Sequence, residues 1–230
     1  MGWKFVEPSK DPRRPLRIYR ATTAEHLDRV DLLWKEVYGR ECGWLAAGAG
    51  TPRTDGFHPH SVYLLADVDG ETVGTMRLVR DSPEQGLPVG RFLPVADLKG
   101  PVTLECQRLM VLAEHRRRRW PELPFGVLAA LIKACLHWCV RTDVTHVLAD
   151  VFLDTATTPM APLVELGFAE TGRTFVDTEL HEPSKSTVLV MRINELVSRS
   201  FRADNPFYRY LMDFDPIIDL TPLGTADHEH

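Results

Sequence analysis

The sequence predicts a mixed α/β fold in which helices cover both faces of one sheet. Seven strand-like segments are interleaved with amphipathic helices in the order strand, helix, three strands, helix, strand, helix, two strands. An apolar content of 44% is sufficient for a substantial core. The 230 residues fit one large domain or one domain with an appendage. We predict an N-terminal arm over 1–14, a main domain over 15–200 and a C-terminal extension over 201–230.

Each element follows from a local pattern. Residues 16–21 alternate as a strand, and Thr22 or Thr23 can cap a helix that runs to about Tyr38. Asp69–Gly70 separates two alternating apolar runs, which predicts a hairpin of strands over 61–68 and 72–79. The later predicted elements are a strand over 102–112, a helix over 125–141, a strand over 145–152, a helix over 155–166 ended by Gly167, strands over 173–180 and 186–193, and a short helix with an aromatic segment in 194–230.

Charge and cysteine content exclude several classes of protein. The net charge of −5 does not indicate binding to nucleic acid or anionic lipid. The start of the chain lacks the apolar core of a signal peptide, and no apolar run reaches membrane-spanning length. We therefore expect a cytoplasmic protein with reduced thiols. Cys135 and Cys139 share a helix face without a second ligand pair at zinc spacing, so we interpret them as packing residues and predict no metal site.

Two predicted strands carry charges where a half-buried strand should be apolar. Arg77 lies in the strand over 72–79, and Glu105 and Arg108 lie in the strand over 102–112. Buried charges are costly unless they are paired. The pattern is therefore typical of a cleft that holds a small charged molecule and moves a proton. A structural ion pair inside the sheet is the alternative interpretation.

The same residues resemble a known family. The order of the elements, with Leu166-Gly167-Phe168 after the penultimate helix, resembles the GCN5-related N-acetyltransferase fold over roughly 16–193. The Gly-Thr-x-Arg-Leu of 74–78 and the Glu-x-x-Arg of 105–108 are similar to motifs of the acyl-homoserine-lactone synthases and the N-acyl amino acid synthases. The resemblance implies a mostly antiparallel central sheet. It also implies an acyltransferase that uses acyl carrier protein or acyl-CoA as co-substrate, without a tightly bound cofactor.

The resemblance assigns catalytic roles that the chemistry supports. An amine must lose a proton as it attacks a thioester carbonyl, and Glu105 is the predicted proton acceptor, directly or through a water. Arg108 would keep that carboxylate ionised or bind the carboxylate of an amino-acid acceptor, and Arg77 is the other candidate clamp. Cys106 offers a nucleophilic alternative. Because it neighbours Glu105, its side chain should face the opposite side of the strand, so we favour direct transfer.

The acceptor-binding residues follow from the resemblance as well. The family has two aspartates three residues apart before its second strand. Here Asp55 occupies the first position and His58 replaces the second, which favours amino-acid-type acceptors over a homoserine-lactone-type substrate. Trp34 matches an aromatic residue that helps to close the acceptor pocket in the family.

The loop before the helix at 125–141 indicates how the donor is held. Enzymes of this fold bind the coenzyme A pyrophosphate with a glycine-rich loop, but this chain retains one glycine there, Gly126, at a different spacing. It carries four consecutive arginines instead, Arg116, Arg117, Arg118 and Arg119. We expect them to contact an acidic carrier protein or a phosphopantetheine phosphate, although coenzyme A is not excluded.

Two alternatives of other classes stay open. An autoinducer-synthase-like enzyme would bind S-adenosylmethionine, acylate its amine and close a lactone, or convert it in another way. A ligand sensor on the same fold would bind without turnover. Saturable binding of S-adenosylmethionine distinguishes the first alternative from an amino-acid acyltransferase, and the absence of turnover distinguishes the second.

Overall fold

The computed structural model describes residues 16–153, 155, 158–181 and 185–221. The arm predicted over 1–14 lies outside these residues. The strands are β1 (Leu16–Arg20), β2 (Ser61–Val68), β3 (Glu71–Arg80), β4 (Thr103–Val111), β5 (His146–Phe152), β6 (Ala169–Phe175), β7 (Ser186–Arg192) and β8 (Ile218–Asp219). The helices are α1 (Ala24–Trp34), α2 (Gly126–Arg141), α3 (Met160–Leu166), α4 (Ile193–Arg202) and α5 (Pro206–Met212).

These strands form a single mixed sheet in the order β6-β7-β5-β4-β3-β2-β1-β8. All neighbouring pairs are antiparallel except β4–β5 and β1–β8, which confirms the predicted mostly antiparallel sheet. The β4–β5 pairing runs from Thr103 beside His146 to Cys106 beside Ala149 and then stops. β4 and β5 therefore separate after these four pairs and open a cleft within the sheet.

Helices cover both faces of the sheet, as predicted. On one face α2 packs its apolar side against β1, β2 and β3, with Leu131 and Ala134 fully buried. On the other face α1 places Val30 against Tyr63 and Leu65 of β2. Successive residues of β2 point to opposite faces of the sheet. Leu64 packs in the core beneath α2, whereas Tyr63 and Leu65 pack against α1. The cleft between β4 and β5 thus lies between two packed layers.

The first helix and the hairpin turn follow their predicted sequence signals. Thr23 caps α1 by accepting a hydrogen bond from the His26 N–H. The helix continues as a π-helical segment, Lys35–Glu41, which reaches beyond the predicted end at Tyr38. In the hairpin, Asp69 and Gly70 both have positive φ, as the tight turn between β2 and β3 requires.

Two predicted boundaries are wrong. The helix expected over 155–166 begins only at Met160, because a start at 155 would place Pro162 in the helix interior, where it lacks a donor and clashes with the preceding turn. The strand expected over 173–180 is β6, Ala169–Phe175. β6 is an edge strand with largely solvent-facing residues, so it lacks the apolar alternation that the prediction followed.

The described residues after 202 belong to the same core as the main domain. Tyr208 and Leu211 of α5 pack on α2, and β8 adds a parallel edge strand beside β1. A buried ion pair joins Lys133 of α2 to Asp215 at 3.2 Å, with the Lys133 ammonium 4.2 Å from the Tyr210 ring centre. Among the described helices, none is both long and apolar enough to cross a membrane.

Candidate active site

Two cavities meet where β4 and β5 separate. The larger has a volume of about 210 Å³ and a mainly apolar wall that includes Met76, Leu109, Leu128, Val151, Phe152 and Leu163. The smaller, of about 10 Å³, lies on the α1 side and is lined by charged groups that include Asp55, Arg91, Glu105 and Glu179. Both cavities share Gln107, Arg108, Asp150 and Asp177. An apolar channel thus ends at a polar chamber.

A β-bulge in β4 brings the two motif residues together. In a regular strand Glu105 and Arg108 would point to opposite faces, since their spacing is odd. Between the Arg77–Gln107 and Thr75–Met110 pairs, however, β3 has one residue and β4 has two. Arg108 sits in this bulge with φ of 50°, a strained conformation for a residue with a side chain. As a result, Glu105 and Arg108 line the same chamber.

Glu105 forms the floor of the chamber and is 1% exposed. Its Oε2 accepts a hydrogen bond of 2.9 Å from the Val89 N–H, which docks the segment after β3 onto the site. Burial raises the pKa of the Glu105 carboxyl well above its usual range, and the nearby Asp150 carboxylate raises it further. The Val89 N–H and the Arg108 and Arg77 guanidiniums oppose this rise only in part.

Arg108 lies across the chamber and packs on an aromatic ring. Its guanidinium is 3.4 Å from Asp177 and 3.6 Å from Glu179, both on the segment after β6. The same group stacks on the ring of Trp34 at 5.1 Å. Trp34, predicted to close the acceptor pocket, does not line either cavity and instead supports Arg108 from behind.

Arg77 and Asp55 form a two-pronged ion pair, with N–O distances of 2.5 and 2.6 Å. Arg77 is 1% exposed and also donates to the Ser61 hydroxyl at 2.8 Å. Burial alone would raise the pKa of Asp55, but the Arg77 hydrogen bonds lower it below its usual range. Asp55 lines the smaller cavity, whereas Arg77 does not line it and contacts Asp55 from the side away from the cavity.

His58 lies next to this pair but outside both cavities. Its Nδ1 is 3.1 Å from the Tyr63 hydroxyl, which itself donates to the Pro52 carbonyl at 3.0 Å. Burial and the Arg77 charge lower the pKa of His58, so its imidazole is neutral at pH 7. The ring thus extends the hydrogen-bond network behind Asp55.

Several chamber residues were not among the sequence-predicted site residues. Asp150 had a signal, because it interrupts the apolar strand β5 and lies two residues after Leu148, which pairs with Glu105. Its side chain therefore shares the Glu105 face of the sheet. Asp177 and Glu179 lie on an irregular segment and Arg91 ends a short 3-10 helix, and no local pattern could reveal the position of either segment over the site.

Cys106 faces the α2 side of the sheet, as predicted from its place beside Glu105, and contacts Cys135. That contact and burial raise the pKa of Cys106 well above its usual range, so its thiol stays protonated and is a poor nucleophile. The described residues include no group of three or more His, Cys, Asp or Glu placed to hold a metal ion.

The arginine run begins at the larger cavity. Arg116 lines that cavity, donates to the Val111 carbonyl and pairs with Glu41 at the end of the π-helical segment. Arg117, Arg118 and Arg119 are exposed. Arg119 folds back onto the Arg118 carbonyl at 2.8 Å, beside the start of α2 at Gly126. The run therefore places exposed positive charge after the channel-lining Arg116 and before α2.

The fold is that of GNAT-like acyltransferase structures, and a family model identifies the class to which the chain belongs. A family model described as N-acyl amino acid synthase FeeM matches residues 29–156, which is more than half of the chain. The chain therefore belongs to the FeeM family of N-acyl amino acid synthases and is an acyltransferase enzyme, as the sequence resemblance indicated. No curated protein sequence matches it.

Solved structures of acyltransferases share the fold. FeeM, an N-acyl amino acid synthase from uncultured soil microbes, superposes with a TM-score of 0.61 at 14% identity, covering 80% of this chain and 94% of FeeM. BjaI, a CoA-dependent acyl-homoserine lactone synthase with SAM and isopentyl-CoA, gives 0.58 at 18% identity, covering 90% and 94%. Naa50 of Arabidopsis thaliana gives 0.53 at 14% identity, covering 77% and 99%. At these identities the likeness concerns the fold.

Proposed function

We propose that this acyltransferase moves an acyl group from a thioester of acyl carrier protein or coenzyme A to the amine of an amino acid or a similar small molecule. The observation that carries the proposal is the meeting of an apolar channel and a charged chamber at the separation of β4 and β5. Such a junction suits a reaction between an apolar thioester and a polar amine.

The channel suits the acyl end of the donor. An engineered apolar cavity of about 150 Å³ holds benzene, so a cavity of about 210 Å³ holds an acyl group somewhat larger than that. β4 has no β5 partner after Cys106, which frees backbone groups on that side to bind the thioester carbonyl and its oxyanion. We assign Arg116 to the channel mouth and Arg117–Arg119 to the phosphate or carrier protein of the donor.

The chamber suits the acceptor. Glu105 is assigned to proton transfer, and Arg108 to the acceptor carboxylate. Arg77 and Trp34 hold Asp55 and Arg108 in place. A chamber of about 10 Å³ holds no more than a water, so the acceptor must displace the segments that carry Arg91 and Glu179 at the chamber wall. The ion pair between Arg91 and Glu179, at 2.7 Å, is the contact that must open.

One observation favours a second candidate acceptor. Five carboxyl groups line the chamber and only two arginines do, and this excess of acidic groups would attract a cation. S-adenosylmethionine carries a sulfonium charge, and the structure of BjaI contains that molecule. A synthase that acylates S-adenosylmethionine is therefore the second candidate function.

The test is product identification with purified protein. The protein is incubated with acyl-CoA and acyl carrier protein thioesters of graded length, and either a mixture of amino acids or S-adenosylmethionine, and products are detected by mass spectrometry. N-acyl amino acids support the first candidate, and acyl-homoserine lactones support the second. Glu105→Gln should lower the yield of product, whereas the exposed Glu170→Gln on β6 should not. Absence of any acylated amine with every pair rejects both candidates.

A further inference from the structure

We propose that Asp150 is a catalytic residue whose carboxylate takes the proton of the acceptor amine, with Glu105 as the second carboxyl of a proton-sharing pair. This inference rests on the proposed function and refines its chemistry. It changes the role of Glu105 from direct proton acceptor to holder of the shared proton.

Position distinguishes the two carboxyl groups. Asp150 lines both cavities and stands where they join, whereas Glu105 lines only the smaller one and is 1% exposed. The thioester carbonyl must arrive through the apolar channel and the amine through the polar chamber. The bond between them forms at the junction, so the carboxylate within reach of the reacting nitrogen is that of Asp150.

The structure shows no other role for the Asp150 side chain. Asp55 is held by Arg77, Asp177 lies beside Arg108, and Glu105 accepts the Val89 N–H. Among the described residues no ion pair or side-chain hydrogen bond to Asp150 is present, and its carboxylate is stabilised only by the Arg108 charge and a backbone hydrogen bond. A half-buried carboxylate in a central strand is costly without a partner, and such groups are characteristic of functional sites.

The two carboxyls titrate as a coupled pair. The ionisable groups around Asp150 are Glu105, Cys106 and Arg108 of β4, Arg116 after β4, Asp177 and Glu179 after β6, Arg91 after β3, Tyr38 of the π-helical segment, and Asp55 before β2. Burial raises the pKa of both carboxyls, the Asp150 charge raises that of Glu105 further, and the Arg108 charge opposes the rise at both. Because Asp150 is half-buried at the junction of the cavities and Glu105 is 1% exposed, we assign the ionised form to Asp150 and the shared proton to Glu105.

The chemical step then balances as follows. Ionised Asp150 takes one proton from the acceptor ammonium, and the neutral amine attacks the thioester carbonyl. The C–N bond forms, the C–S bond breaks, and the second nitrogen proton leaves with the departing thiolate as a thiol. The products are the amide, the free thiol and one proton on the carboxyl pair, which then passes to solvent.

The test compares Asp150→Asn with Glu105→Gln, using the acyl-CoA and amine pair that the wild-type protein converts. We expect Asp150→Asn to lower kcat by about 100-fold or more at every pH, without weakening binding of the acyl-CoA donor. Glu105→Gln should lower kcat less and leave the acid limb of the kcat/KM profile in its wild-type position. The matched control is Asp143→Asn, at an exposed residue outside both cavities.

A third variant guards against a folding defect in the first. Asp177→Asn removes an acidic neighbour that raises the pKa of Asp150, so it should move the acid limb to lower pH. Activity of Asp150→Asn with the acid limb displaced to lower pH would make Glu105 the base and overturn the inference. An unmoved limb in Asp177→Asn would also count against it. A wild-type protein that converts no pair refutes the proposed function instead.

Discussion

The ion pair between Arg77 and Asp55 gives the sharpest test of how the site is held together. Asp55→Ala leaves the Arg77 guanidinium unpaired at 1% exposure, and arginine cannot neutralise itself by losing a proton. Breaking such a buried pair costs about 3–5 kcal/mol. Arg77→Met leaves Asp55, whose side chain is 26% exposed and can recover water or a proton, so the cost is about 1–3 kcal/mol. The two partners should therefore respond unequally.

Urea unfolding of both variants and of the double variant measures this asymmetry. The double variant should be less destabilised than the sum of the singles, because neither partner remains alone. The matched control is Asp97→Ala, which breaks a two-pronged pair with Arg173 on the surface and should change stability little. Equal costs for Asp55→Ala and Asp97→Ala, or strict additivity in the double variant, would refute the reasoning.

The pH dependence of the same pair has a defined sign. The pKa of Asp55 is lower in the folded protein than in the unfolded chain, so its contribution to stability is fully present above the unfolded pKa of about 3.9. That contribution is lost as the pH falls through the folded pKa. The stability difference between wild type and Asp55→Ala should therefore shrink below about pH 4.

Three further predictions concern other regions. Glu105→Gln should raise the Tm at pH 8 but not at pH 4, measured by differential scanning fluorimetry. Because the folded pKa of Glu105 is raised, stability present below the unfolded pKa is lost as the pH rises through the folded one, and glutamine avoids this loss. Replacing Arg117–Arg119 by glutamine should raise the donor KM about tenfold at low salt, and high salt should erase this effect. The control replaces three exposed arginines of α4 and α5 by glutamine, namely Arg199, Arg202 and Arg209, and should leave the donor KM unchanged. Asp215→Ala should cost about 3 kcal/mol or more in urea unfolding by stranding buried Lys133, and an unchanged midpoint would contradict this.

The sequence predicted the parts of the fold that local chemistry determines. Thr23 begins α1, Asp69–Gly70 turns the hairpin and Gly167, with φ of 119°, ends α3, each by a mechanism that a few residues contain. Pro162 could have corrected the start of α3. The two-residue strand β8 gave no signal, because its pairing depends on a strand at the other end of the chain.

In the candidate site, too, local patterns identify some residues and only the tertiary structure identifies the others. Glu105 and Arg108 stood out because charge on a half-buried strand is unusual, but their convergence requires the bulge at Arg108, which no local pattern predicts. Arg77 was predicted to bind substrate. Only the folded chain shows that its guanidinium is already paired with Asp55. Asp177 and Glu179 reach the site by tertiary placement alone.

The parallel pairing of β1 with β8 has a consequence for biosynthesis. Residues 16–20 are synthesised before residues 218–219, so the edge of β1 that pairs with β8 lacks that partner until residues 218–219 have been made. An open strand edge is a template for pairing with another chain. Nascent chains on the same polysome are therefore able to pair with one another through the open edge of β1 until β8 has been translated. A circular permutant that makes residues 203–221 before β1 would be synthesised with that edge partner already available.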